Sequence, residues 1–288
     1  MRVLYYDCFS GISGDMNLAA MIDLGVDPDY LRQELDKLDL SGYTIRVSRD
    51  ERQAISGTRV DVDLEEAAHG HHHDHPIEHD GADGHAHHHH NDGGHHHTSG
   101  HHAGHDHSHS HTGRGDQHHH VHRNLSDIQA IVEGSTLNQN VKHVSMRMFR
   151  LIAGAEARVH GTTIDNIHFH EVGAVDSIVD IVGAAICLDY LKVDRILGSS
   201  IELGGGFVKC AHGLMPVPAP ATLEILKNIP VKKGAVDKET TTPTGAAILA
   251  ANVDEFTDRN EMKVDKIGYG IGHREMKIPN ILRLYLGT

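Results

Sequence analysis

Tryptophan is absent from these 288 residues, and aromatic side chains make up only 4% of them. A packed core must therefore come from Val, Ile, Leu, Ala and Met, which a hydrophobic content of 39% supplies in ordinary measure. Cysteine is scarce as well. Cys8, Cys187 and Cys210 lie far apart, are odd in number and form no CxxC spacing. Neither a disulfide framework nor a zinc–thiolate site is expected, and a reducing compartment follows. Cys187 and Cys210 read as small buried hydrophobes, whereas Cys8 sits inside a glycine-rich turn where its role stays open. Positive charge is in deficit: 26 Lys and Arg stand against 40 Asp and Glu, a formal net charge of −14. That excludes the basic stripe of a nucleic-acid surface. No apolar run reaches the length of a membrane span. The start, Met1-Arg2-Val3-Leu4-Tyr5-Tyr6-Asp7, lacks the apolar core and cleavage site of a signal peptide. The expectation is a soluble, cytoplasmic protein with no nucleic-acid or membrane partner; oligomeric state has no signature here.

What is present divides the chain into three stretches, 1–67, 68–123 and 124–288. The first reads as an α/β unit. A β-rich run from Arg2 to Phe9 leads through the turn Ser10-Gly11-Ile12-Ser13-Gly14 into a helix from Asp15 to Leu24, closed by Gly25. A second helix is expected from Pro28 to Leu38, then strands at Thr44–Val47 and Thr58–Leu64. In the latter, Val60, Val62 and Leu64 alternate with Asp61 and Asp63, a buried face and a wet one. In the third stretch helices are expected at Ser126–Val132, Val144–Val159 and Val172–Leu191, with short ones at Thr222–Lys227 and Gly245–Ala251. Strands are expected at Ile164–Phe169, Val193–Ile201 and Ile281–Leu286. The fold class is α/β or α+β, a sheet flanked by helices and interrupted by a disordered His-rich insert.

That insert holds twenty-four of the chain's 30 histidines between His69 and His122, among Gly, Asp and Ser. So little apolar surface cannot offset the entropy of ordering, hence the expected disorder. Neutral imidazole is a good ligand for nickel, zinc and copper. Pairs such as His71/His73, His87/His89, His105/His107 and His109/His111, and the unbroken run His87, His88, His89 and His90, can close chelates in a flexible chain. Metal capture, storage or delivery is the functional reading; a solvated linker is the plain one. Protonating all 30 histidines would carry the formal charge from −14 to +16. Metal release should therefore steepen around pH 6, near the histidine reference pKa of about 6.5.

Outside the tract, His168-Phe169-His170-Glu171 is the densest group of ligand-type residues. On a strand His168 and His170 would share a face, Glu171 would join them at a turn, and Asp176 and Asp180 would share a face of the next helix. Two imidazoles and up to three carboxylates can hold a divalent ion; equally, they can be caps and surface charges around a strand–helix junction. The run Asp7-Cys8-Phe9-Ser10-Gly11-Ile12-Ser13-Gly14-Asp15-Met16 offers backbone N–H groups at Ser10, Gly11, Ser13 and Gly14 as an anion cradle. The alternative is a tight turn with Asp15 as N-cap. Thr242, Thr244 and Gly245, at another helix start, pose the same choice.

Five segments together resemble one family: DCFSGISGDM (Asp7 to Met16), HFHEVGAVDSIVDIVGAA (His168 to Ala185), HGLMPVPAPAT (His212 to Thr222), TPTGAA (Thr242 to Ala247) and IGYGIGHRE…PNILRLYLG (Ile267 to Gly287). They resemble, in order, the LarC family of nickel-insertion proteins that serve the lactate racemase cofactor. The resemblance implies insertion of Ni²⁺ into pyridinium-3,5-bisthiocarboxylic acid mononucleotide, with two nickel–sulfur bonds and one nickel–carbon bond, at the expense of CTP with Mg²⁺ or Mn²⁺. Family members usually continue into a further C-terminal domain associated with CTP; this chain stops at Thr288, so that domain in trans, and the recipient racemase, are the implied partners. Metallating an aromatic carbon needs a base for its proton. Asp176 or Asp180, or His168 or His170 when not a ligand, would serve; Asp7 and Asp15 would hold a divalent ion or face the substrate's phosphate. The competing expectation is a non-catalytic nickel store or delivery protein.

Overall fold

The computed structural model describes residues 1–64, 123–169, 172–210, 213–259 and 261–288. The chain begins with strand β1 (Val3–Asp7), helices α1 (Gly14–Leu24) and α2 (Pro28–Leu35), and a hairpin of β2 (Tyr43–Arg52) and β3 (Ile55–Leu64). Helices α3 (Leu125–Gly134), α4 (Gln139–Val159) and α5 (Val175–Leu191) come next, then short strands β4 (Arg195–Gly198), β5 (Ile201–Glu202), β6 (Phe207–Cys210) and β7 (Gly213–Pro216). Helix α6 (Pro220–Ile225), β8 (Val231–Lys232), α7 (Pro243–Asn252), β9 (Glu255–Phe256), β10 (Val264–Ile271) and β11 (Ile281–Gly287) complete it.

This is an α/β fold around a mixed seven-stranded sheet in the order β2-β3-β10-β11-β1-β4-β9. Strands from both sides of the histidine tract share it: β3 runs parallel to β10, β1 antiparallel to β11 and parallel to β4. One face is closed by α1, which lies on β3, β10 and β11. Glycine makes that approach possible. A Cβ on Gly268 would lie 2.3 Å from the Ala20 carbonyl oxygen, and one on Gly270 2.0 Å from that of Met16. Helix α5 packs on α1, α2 and α4, and its near-continuous apolar sequence leaves Ile178, Val179, Ile181 and Val182 fully buried. Cys8 and Cys187 are buried free thiols, Cys187 pushed up to about 12 by burial.

Several expected elements stand nearly as read. Helix α1 ends at Gly25 in the left-handed conformation, φ 118°, the geometry a glycine accepts without strain. Others do not. Instead of a strand at Ile164–Phe169 there is one 3₁₀ turn, Ile164–Asn166, and a lone bridge from His168 to Asn124. Val193–Ile201 divides between β4 and β5, which belong to different sheets. In β3 the wet face is not wet throughout: Asp61 is buried while Leu64 is 51% exposed. His71, His73, His87, His88, His89, His90, His105, His107, His109 and His111, with His170 and Glu171, lie outside the described residues. Among the described residues no helix is long and apolar enough to cross a membrane.

Candidate functional site

The turn after β1 is tied to the segment before α7. Ile12 N–H donates to the Thr240 carbonyl at 2.9 Å, and Thr242 N–H returns the bond to the Ile12 carbonyl at 3.1 Å. Gly11 adopts φ 80°, and a Cβ there would lie 2.1 Å from the Thr240 oxygen; one on Gly245 would lie 2.2 Å from that of Ile12. Both glycines therefore close this seam. The Thr240 and Thr241 hydroxyls donate to the Glu202 carbonyl at 2.7 Å each, so they too are structural. The result sets the N-termini of α1 and α7 side by side, and α5, packed on both, contributes its first turns.

There a cavity of about 780 Å³ opens, a size suited to a small-molecule ligand. Ser13, Gly14, Asp15, Asp176, Asp180, Thr242 and Thr244, all picked out from the sequence, line it together. Asp7, Ser10, Gly11, Gly245 and His168 are not among its lining residues. Asp7 pairs in register with Arg283, on the sheet face opposite Gly268 and Gly270. It accepts from Arg283 Nε at 2.9 Å and Tyr285 Oη at 3.2 Å. Ser10 is buried and its hydroxyl has no partner among the described residues. Gly11 N–H is taken by the Cys8 carbonyl, so one of the four N–H groups of the expected cradle serves the loop itself. The α1 N-cap is Ser13, not Asp15, and Thr242 caps α7 by accepting from Gly245 N–H at 3.2 Å. His168 is exposed.

Sequence reasoning missed other lining residues: Glu156 and His160, 3.2 Å apart on the last turn of α4, and Ser177, Lys209, Glu239 and Arg274. It also missed His273, which holds Asp15 from behind. Its Nε2 lies 3.0 Å from Asp15 Oδ2, and Arg59 Nη2 lies 2.7 Å from its Nδ1, with Asp61 Oδ1 at 3.4 Å. The Ser13 hydroxyl donates to the other Asp15 oxygen. The hydrogen bond to Asp15 raises His273 above the ordinary histidine value, against the pull of burial. Burial opposes charge at Asp61, but hydrogen bonds from Arg59 hold it below the usual carboxylate range. Asp180 goes the other way: burial, then the charges of Asp15 and Asp176, push it well above that range. The available signals were that His160 and His273 are two of only six histidines outside the tract, and that His273 and Arg274 stand in the quoted IGYGIGHRE segment.

The cavity thus joins carboxylates and cations, Lys209 and Arg274, to an apolar wall that includes Val159, Val208, Met215 and Pro220. Such a lining suits a ligand with an anionic end and a flat ring. Among the described residues no group of three or more His, Cys, Asp or Glu side chains is arranged to hold a metal ion.

The family model described as nickel insertion protein matches residues 4–288. The chain is 54% identical over 288 residues to the pyridinium-3,5-bisthiocarboxylic acid mononucleotide nickel insertion protein of Clostridium kluyveri, covering 100% of this chain and 62% of that protein. It is 56% identical to the protein of the same description from Clostridium acetobutylicum, covering 100% and 64%, and 42% identical to that of Geobacillus kaustophilus, covering 100% and 60%. The chain therefore spans a little under two thirds of the length of these relatives. No solved structure matches it.

Proposed function

The chain belongs to the nickel insertion protein family, and on that premise we propose that its cavity binds pyridinium-3,5-bisthiocarboxylic acid mononucleotide and is where Ni²⁺ is inserted. One observation carries the reading: sequence segments around Asp15, Asp176 and Thr242, far apart in the chain, line a single cavity of mononucleotide size. Lys209 and Arg274 are the cations for the substrate's phosphate, and the apolar wall takes the ring.

Insertion forms two nickel–sulfur bonds and one nickel–carbon bond. At the ring carbon the C–H bond breaks, its electron pair becomes the nickel–carbon bond, and the proton must pass to a base. Asp15 is the carboxylate for that role. Ser13 and His273 each hold one of its two oxygens. Asp176, exposed at the same wall, is the second candidate. Nickel would arrive through His168, His170 and Glu171, immediately before the lining residue Val172, with the histidine tract as reservoir. The product is a nickel-pincer cofactor for a lactate racemase-type enzyme. CTP with Mg²⁺ or Mn²⁺ we assign to the length the relatives have beyond this chain, and no step is routed through it.

Mass spectrometry of the nucleotide after incubation with Ni²⁺, with the remaining portion of a relative supplied in trans, tests the reading. Asp15→Asn should slow metallation by about 10²- to 10⁴-fold. Metallation at the parent rate in that variant would remove Asp15 as base, and no product from the unaltered chain would remove the reading. A store or delivery role is favoured by one observation, the histidine tract with twenty-four of the chain's 30 histidines. Metal analysis after replacing residues 69–122 by a short Gly/Ser linker decides it. About one retained nickel per chain speaks for a dedicated centre, none for a reservoir.

A further inference from the structure

Helix α4 brings one imidazole to the cavity. Among the described residues His160 is the only histidine in the lining, and Glu156, one turn earlier on the same helix, lines it too. Residues four apart share a helix face, and here the two side chains meet, with His160 Nε2 3.2 Å from Glu156 Oε2. The imidazole is 28% exposed and the carboxylate side chain 19%, so neither is shut into the core. Gly161, at φ 63°, turns the chain away directly after His160. A charged histidine in a last turn is favoured by the helix dipole. That accounts for its place on the helix, but not for a pair turned toward the ligand's space. The separation of the two atoms is that of a chelate. A divalent ion bonded to each at about 2.1 Å would make an angle of about 100° with atoms 3.2 Å apart. That is close to the right angle between neighbouring ligands of octahedral or square-planar nickel.

We propose that Glu156 and His160 hold Ni²⁺ inside the cavity immediately before its insertion. This rests on the functional reading above for the fate of the ion, not for the ability of the pair to bind it. Nickel favours imidazole nitrogen, and His160 is the one such donor in the described lining. Two protein donors also suit an ion that must leave. A closed set of four protein ligands retains a metal, whereas open positions admit a substrate atom. With His160 and Glu156 attached, the two sulfurs of the nucleotide can take neighbouring positions while the ion is still held. As the two nickel–sulfur bonds and the nickel–carbon bond form, the bonds to His160 Nε2 and Glu156 Oε2 break. Nickel stays divalent throughout, and the ring proton goes to the base already described. The two released side chains then pair with each other, as they do in this structure.

A footprint of the full chain, with Ni²⁺ alone as the probe, tests it. Diethyl pyrocarbonate acylates accessible imidazole nitrogens, and mass spectrometry of peptides reads His160 separately from the tract. Once the tract is saturated, Ni²⁺ should protect His160 and leave His143, an exposed residue of α4 outside the lining, as reactive as before. Glu156→Gln keeps the size of the side chain but is a poorer ligand. It should need at least about tenfold more nickel for half-protection, since loss of even an outer-shell partner costs that much. Glu156→His cannot form the ion pair, yet supplies a donor one turn from His160, and should restore protection. No protection of His160 in the parent, or protection indifferent to Glu156→Gln, would overturn the proposal. Equal loss in the Gln and His variants would show that only the ion pair matters and overturn it as well. Protection as expected, with no metallated nucleotide once substrate and the remaining portion of a relative are added, would uphold the pair and overturn the functional reading instead.

Discussion

Asp15 and Asp180 flank Gly14 from two helices, and they differ in what surrounds them. Asp15 gathers the Ser13 hydroxyl and the His273 ring, whereas Asp180 Oδ1 is closed from water and has no hydrogen-bond partner among the described residues. Gly14→Ala should collapse the distinction, because the new methyl group would occupy the place of the Asp180 carboxyl. A loss of about 1–3 kcal/mol in urea denaturation is expected; a variant as stable as the parent would mean that α1 can shift freely. His273 gives a pH dependence. Its folded pKa is raised, so the stability it contributes is fully present below the unfolded value of about 6.5 and is lost as pH rises through the raised value. The side chain is 44% exposed, so screening should keep the contribution under about 1 kcal/mol. The difference in unfolding midpoint between the parent and His273→Gln should be greatest near pH 6 and vanish in alkaline solution. A difference growing with pH would contradict the assigned pair.

At the scale of elements, the site depends on how closely α1 can settle on the sheet. Asp23, near the end of α1, accepts from Tyr269 N–H at 2.9 Å and Thr58 Oγ1 at 2.8 Å, and Gly270 admits the Met16 carbonyl at the other end. Gly270→Ala should lift α1 from β10, costing about 1–3 kcal/mol, and should speed hydrogen exchange of the amides from Met16 to Leu24. Unchanged exchange would mean that the contact does not set the helix position. The elements legible in the sequence were those with local causes: α1 with its glycine stop, the body of α5 with its apolar run, and β11. Ile164–Phe169 misled because its β-branched and aromatic residues suit a strand, yet the described structure gives it only Asn124 to pair with, at His168. Asp61 misled for a different reason. Alternation placed it in water, but its neighbour on β3, Arg59, and the distant His273, just past the end of β10, hold it, and no local pattern records the second of these.

For the whole molecule, half of the cavity was readable and half was not. Asp15, Asp176, Asp180 and Thr242 stand in long unusual segments, so they could be singled out one by one. Glu156, Lys209 and Glu239 carry no local mark; they matter only because α4, β6 and the segment before α7 converge on the same space. The abundance of histidine in the tract also hid the single histidines, His160 and His273, that the fold uses. The sheet itself joins strands from before and after the tract through the contacts of β3 with β10 and of β1 with β4 and β11. Those contacts use no residue between 65 and 122, so replacing 69–122 by a short linker should leave the unfolding midpoint of the fold unchanged or slightly raised, since a shorter loop loses less entropy on closure. Nickel retention should behave differently. In the full chain it should fall steeply around pH 6 as imidazoles protonate, whereas in the shortened chain any remaining nickel, held with carboxylate help, should leave over a lower pH range. Metal content followed by elemental analysis from pH 8 to pH 5 separates the cases. Identical release curves would mean that the tract holds no distinct pool of metal, and a full chain still loaded at pH 5 would mean that imidazoles are not what holds it.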